Sequence, residues 1–213
     1  LRKEEHLLRR ETQIIFLSGL LLLLSAQTVL MAQDTAEKAK VPVIQYRNKG
    51  DMIGAINLGV FFPLYFEDFS SGTSEFNETN MSMGGLFVVS YDVYINGFLR
   101  LGLQVIPSFS YSPNEQLLYM IPVLARFTYE WQPVKEFSIP LSLGAGVSFN
   151  TYGEDFHLDY IVKPTIGLYW NMDIEFSFGV DVSYWWMPQL YDNADYNRIA
   201  HFVEISIGAQ YHF

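Results

Sequence analysis

The 213 residues suit one domain with a short appendage; half are hydrophobic, 16% are aromatic, and the formal net charge is −10. That charge argues against a nucleic-acid partner, which needs clustered Lys and Arg. The chain has no cysteine, which excludes a disulfide, a thiolate nucleophile, a zinc–thiolate site and a lipid anchor on an N-terminal Cys.

The first residues read as a cleaved secretory signal. Arg9 and Arg10 precede an apolar run at 14–24, broken only by Ser18 and Gly19. That run is too short to span a bilayer and suits a signal core. Cleavage fits after Ala32, although Leu30 is bulky for the −3 position and Ala26 offers a second site. The expected organisation is a signal peptide at 1–32, a short polar periplasmic lead at 33–50 and a β-barrel at 51–213.

No stretch after residue 32 approaches the ~20 apolar residues of a membrane helix. The apolar content is instead spread over eight alternating segments. They run over 52–62, 81–93, 98–111, 117–131, 137–149, 160–170, 174–187 and 199–213. Tight turns at 94–97, 132–136 and 171–173 alternate with long polar connections at 63–80, 150–159 and 188–198; 112–116 is a short exception. Short turns on one side and long loops on the other describe an antiparallel up-and-down meander.

Each segment has one apolar face. In the first it is Ile56, Leu58, Val60 and Phe62; in the fourth it is Tyr119, Ile121, Val123, Ala125, Phe127, Tyr129 and Trp131. The last segment ends Ile205, Ile207, Ala209, Tyr211, Phe213, with an aromatic as the final residue. The opposite face holds Asp92, Arg100, Arg126, Glu130, Lys163, Glu175, Asp181 and Glu204, together with many glycines. Periodicity alone leaves open which face points inward. The aromatics of the apolar face sit at segment ends, such as Tyr160 and Trp186 at one rim and Trp131 and Trp170 at the other, with aliphatics between. Paired aromatic girdles around an aliphatic band favour a bilayer. The glycines on the polar face favour placing that face inside a narrow barrel. The predicted fold class is therefore all-β: an eight-stranded antiparallel up-and-down transmembrane β-barrel behind a signal peptide.

In pattern and length, residues 51–213 resemble the small outer-membrane barrels of the OmpX, OmpA-transmembrane-domain and OmpW-like types. The stretches 119–129 (YMIPVLARFTY) and 141–149 (LSLGAGVSF) resemble strands of porin-like families. The resemblance implies the bacterial outer membrane, with Tyr211 and Phe213 as the assembly signal shown to the barrel-insertion machinery.

The eight lumen charges are expected to pair, because an eight-stranded barrel is just wide enough for side chains to fill it. They could plug the lumen or gate a polar path. The loops carry Tyr65, Phe66, Phe69, Phe76, Tyr191 and Tyr196 as candidate surface contacts. Asp192 and Asp195 do not specify a metal site, and no cofactor or metal is expected. His201 is placed on the lipid face near the outer rim, His157 in a loop and Ser183 in the lumen. No nucleophile–base–acid set shares a face, so no enzyme is expected. Two functions remain: a small porin-like channel for small or apolar solutes, or a non-conducting structural or adhesive barrel presenting its loops to ligands or host molecules. Expected partners are outer-membrane lipid, the insertion machinery, small solutes and surface ligands, with the barrel a monomer.

Overall fold

The computed structural model describes residues 47–68, 75–79, 81–111, 116–152, 155–190 and 197–213. The chain divides between Ile44 and Gln45, and every described residue belongs to the second part. The expected signal peptide lies outside the described residues, as do Phe69, Tyr191, Asp192, Asp195 and Tyr196.

Ten strands follow in chain order: β1 (Met52–Asp68), β2 (Glu75–Glu78), β3 (Gly84–Tyr94), β4 (Leu99–Val105), β5 (Ser108–Tyr111), β6 (Leu117–Val134), β7 (Phe137–Tyr152), β8 (Asp155–Asn171), β9 (Phe176–Gln189) and β10 (Arg198–His212). All pair antiparallel, and β1 pairs with both β10 and β3, which closes the sheet into a barrel. The wall has eight staves. β4 and β5 form one stave, interrupted at Ile106 and Pro107 because proline cannot donate to the ladder. β2 extends only the upper end of β1.

The short turns have local chemical causes. Asn96 Oδ1 accepts from the backbone N–H of Phe98 and Leu99, at 2.9 Å each. Asp173 Oδ1 does the same for Glu175 and Phe176, at 2.8 and 2.7 Å. Asn and Asp fold the chain back by such bonds. Residues 47–50, read above as part of a lead, are fastened to this lower rim. Gly50 N–H donates to Tyr94 O at 2.9 Å, and the buried Arg47 donates through Nη1 to Ile174 O at 2.8 Å. Here Gly50 has φ +97°, a left-handed conformation that favours glycine.

Several strands run past the sequence expectation at the upper rim. β1 continues six residues to Asp68, and β7 and β8 absorb most of what reads as a long loop at 150–159. A β-bulge between Pro63 and Tyr65 leaves Leu64 as the extra residue and shifts the alternation. Phe66 consequently packs against the interior apolar cluster rather than standing in a surface loop. This corrects its place among the loop contacts.

Exposure decides which face is which. Leu58, Leu103 and Ile207 are 60, 62 and 65% exposed, whereas Ile53, Asp92 and Leu124 are fully buried. The aliphatic band therefore faces outward, flanked by exposed Phe109, Tyr119 and Tyr160 above and Tyr129, Trp131 and Trp170 below. A soluble barrel would hide these groups; a bilayer solvates them.

Candidate functional site

The interior is the place to look for a path, and hydrogen-bond register builds it. One row across four neighbouring pairings reads Asp92, Gly102, Arg126, Gly144, Lys163. Charged side chains alternate with glycines, so each long group reaches over a neighbour without a side chain. The fit is close: a Cβ on Gly102 would lie 2.0 Å from Asp92 Oδ1 and 2.2 Å from Tyr91 O.

These charges gather into three linked groups. Asp92 is fully buried between two arginines. Arg126 Nε donates to its Oδ1 at 3.3 Å, and Arg126 Nη2 binds Oδ2 and also donates to Ser90 Oγ at 3.1 Å. Arg100 Nε lies 3.8 Å from Asp92, and its Nη1 lies 3.3 Å from Glu130. Tyr94 then donates to Glu130 at 2.6 Å. In the second group, Lys163 Nζ and Trp185 Nε1 both reach Glu204 Oε2 at 2.7 Å. Third, Asp181 accepts from Asn57 and from Tyr169, each at 2.7 Å.

Seven of the eight expected lumen charges therefore lie inside, each 8% exposed or less. Glu175 does not. It stands exposed in the turn before β9, and its carboxylate accepts from Tyr211 at 3.2 Å. The strand begins only at Phe176, so alternation counted through the turn gives the wrong face.

Above the charges lies a second layer that sequence reasoning missed. Phe61, Leu86, Ile106, Met120, Leu124, Ile161, Trp185, Met187 and Phe202 form a buried apolar cluster on the inner face. The Phe61 ring stacks on Trp185 at 5.7 Å and meets Phe202 edge-on at 5.6 Å. The available signal was the run of residues apolar on both faces, as in Trp185-Trp186-Met187, which marks a strand buried on one side and lipid-facing on the other.

Among the other expected positions, Ser183 is buried in the lumen and shares a 2.8 Å hydrogen bond with Thr165. His157 is exposed on β8, and Phe76 lies in β2. His201 occupies the outward face as expected, but it is covered to 4% exposure. The bulge in β1 sets Tyr65 directly opposite His201, with ring centres 4.3 Å apart. Tyr184 binds His201 Nδ1, and Glu67 Oε2 lies 3.7 Å from Nε2. At the C-terminus, Phe213 and Met52 exchange backbone hydrogen bonds of 2.9 and 3.3 Å. The exposed Tyr211 and Phe213 rings meet at 5.0 Å on the outer wall.

A closed eight-stave wall, a lipid-facing belt and a filled lumen define a small transmembrane β-barrel of the outer-membrane type. A protein-family model spans residues 33–211, and the chain belongs to that family. Its sequence is 26% identical over 173 residues to an uncharacterised protein of Borreliella burgdorferi, covering 71% of this chain and 78% of that one. An uncharacterised protein of Treponema pallidum is 27% identical over 130 residues, covering 61% of this chain and 59% of the other. Among solved structures, the fold is similar to Neisserial surface protein A, with TM-score 0.58, 12% identity and coverage of 77% of this chain and 97% of that one. It also resembles the outer membrane protein OprG from Pseudomonas aeruginosa, with TM-score 0.51, 12% identity and coverage of 80 and 99%. Outer membrane protein AlkL gives TM-score 0.52 at 12% identity, with coverage of 78 and 91%.

Proposed function

We propose that this protein is a closed outer-membrane barrel that acts as a structural or adhesive element through its outer rim and loops. The observation that carries the reading is the double filling of the lumen. A paired-charge layer and an apolar layer lie in series, and Asp92, Trp185 and Ile106 are each at 0% exposure. A small solute passing through would have to displace both. The charge layer resists by the cost of separating buried ion pairs, and the apolar layer resists by excluding water.

The bilayer belt and the barrel fold support the outer membrane as its location. The family match begins at Gln33, just after the expected cleavage site, which supports an exported chain with its signal removed. Tyr211, on the strand that completes the wall, and Phe213, immediately after it, suit recognition by the insertion machinery. The upward extensions of β1, β7 and β8, strands of 16–17 residues against the ~10 a bilayer requires, raise a rim suited to surface contacts.

The test is single-channel recording of the refolded mature chain in a planar bilayer, after heat-modifiable gel migration has shown that it folded. The expected result is silence. Discrete, reproducible openings would overturn the closed reading and restore the porin-like one. Replacing 69–74 and 191–196 with short turns, which leaves the paired strands in place, should then abolish binding of the refolded barrel to cell surfaces without unfolding it.

A further inference from the structure

The cluster around His201 has no part in filling the lumen. It lies on the lipid-facing side, at the level of the upper aromatic girdle, where phospholipid headgroups sit. Three strands build it side by side: Tyr65 on β1, His201 on β10 and Trp186 on β9 are directly paired. Tyr184 and Glu67 flank that row. We propose that Glu67, Tyr65, Tyr184 and Trp186 form a site for the ammonium group of a zwitterionic phospholipid headgroup.

Two observations point to a cation. First, the Glu67 carboxylate is partly exposed, at 22%, and its Oε2 lies 3.7 Å from His201 Nε2, at ion-pair rather than hydrogen-bond distance, so the histidine leaves the carboxylate open to a further partner. Second, the neighbouring cation looks away. Arg198 pairs with Asp68 in register, lies with its guanidinium 4.4 Å from the Phe66 ring centre and donates to Gln189 at 2.6 Å. All of that is on the opposite face of the ribbon. A carboxylate beside aromatic faces at headgroup depth is the chemistry that holds a substituted ammonium. The bulge at Leu64 is what brings Tyr65 and Glu67 to this face.

The inference rests on the barrel lying in a bilayer and is independent of conductance or loop binding. Its test is native mass spectrometry of the mature chain refolded into vesicles of equal parts phosphatidylethanolamine, phosphatidylcholine and phosphatidylglycerol. The wild type should retain an ammonium lipid over phosphatidylglycerol by about tenfold. Glu67→Gln should erase that preference. Asp68→Asn, which removes the same charge one residue away on the other face, should keep it. Tyr65→Ala should weaken phosphatidylcholine more than phosphatidylethanolamine, because a quaternary ammonium relies on the ring and a primary one can hydrogen-bond to the carboxylate. Equal retention of the three lipids by the wild type would overturn the proposal. So would an equal loss in Asp68→Asn and Glu67→Gln, which would mean charge alone is being read.

Discussion

Asp92 shows how much one buried carboxylate can organise. It is fully buried, touches both Arg100 and Arg126, and faces Gly102 across the ladder. Replacing it by asparagine keeps the shape and removes the charge, leaving Arg126 without its ion-pair partner in a water-poor interior and Arg100 with Glu130 alone. The expected cost is about 3–5 kcal/mol, the range for breaking a buried pair from one side. Guanidinium unfolding of the refolded barrel in detergent would measure it. Glu175→Gln is the contrasting case. Its carboxylate is exposed at a turn and touches only Tyr211, so the same assay should move by less than about 1 kcal/mol. Both residues read identically by alternation; only the start of the strand separates them.

At the scale of the element, alternation carried most of the information, and its failures have local causes. The outward face of every stave was legible because side chains strictly alternate along a regular strand. The inner apolar layer was hidden because charges and glycines dominated the reading of that face, although Phe61, Leu86, Met187 and Phe202 have the right parity. The upper end of β1 was hidden for a different reason. A bulge breaks the period of two, and nothing in Pro63-Leu64-Tyr65 announces where the extra residue falls. Pairing itself explains why the cluster at His201 could not be assembled beforehand: Tyr65, His201 and Trp186 become neighbours only through register. The bulge can be tested directly. Because Leu64 is the unpaired residue, deleting it should leave a regular ladder with Tyr65 still opposite His201. The variant should fold and keep His201 slow to react with diethylpyrocarbonate, as mapped by mass spectrometry. Rapid modification of His201 in a folded variant would show that Leu64 holds the register.

At the scale of the whole molecule, two different materials close one passage, and closures in series behave unlike a single gate. Removing either alone leaves the other intact. Arg126→Ala should unbalance the charge layer yet stay silent in a planar bilayer, because the Phe61–Trp185–Phe202 contacts remain above it. Phe61→Ala with Phe202→Ala should likewise stay silent, because the charge layer centred on the Asp92–Arg126 pair is still complete beneath. Each aromatic truncation should cost about 3–5 kcal/mol, so heat-modifiable migration must accompany every recording. Combining the three substitutions should give openings that neither parent shows. Conductance from Arg126→Ala alone would mean that the apolar layer is no seal, and the charges would then be the only barrier. Silence from a folded triple variant would mean that further groups fill the space, with Met120, Ile106 and Ile161 the next to examine. The order of these outcomes separates a wall built to stay shut from a channel held closed at one point.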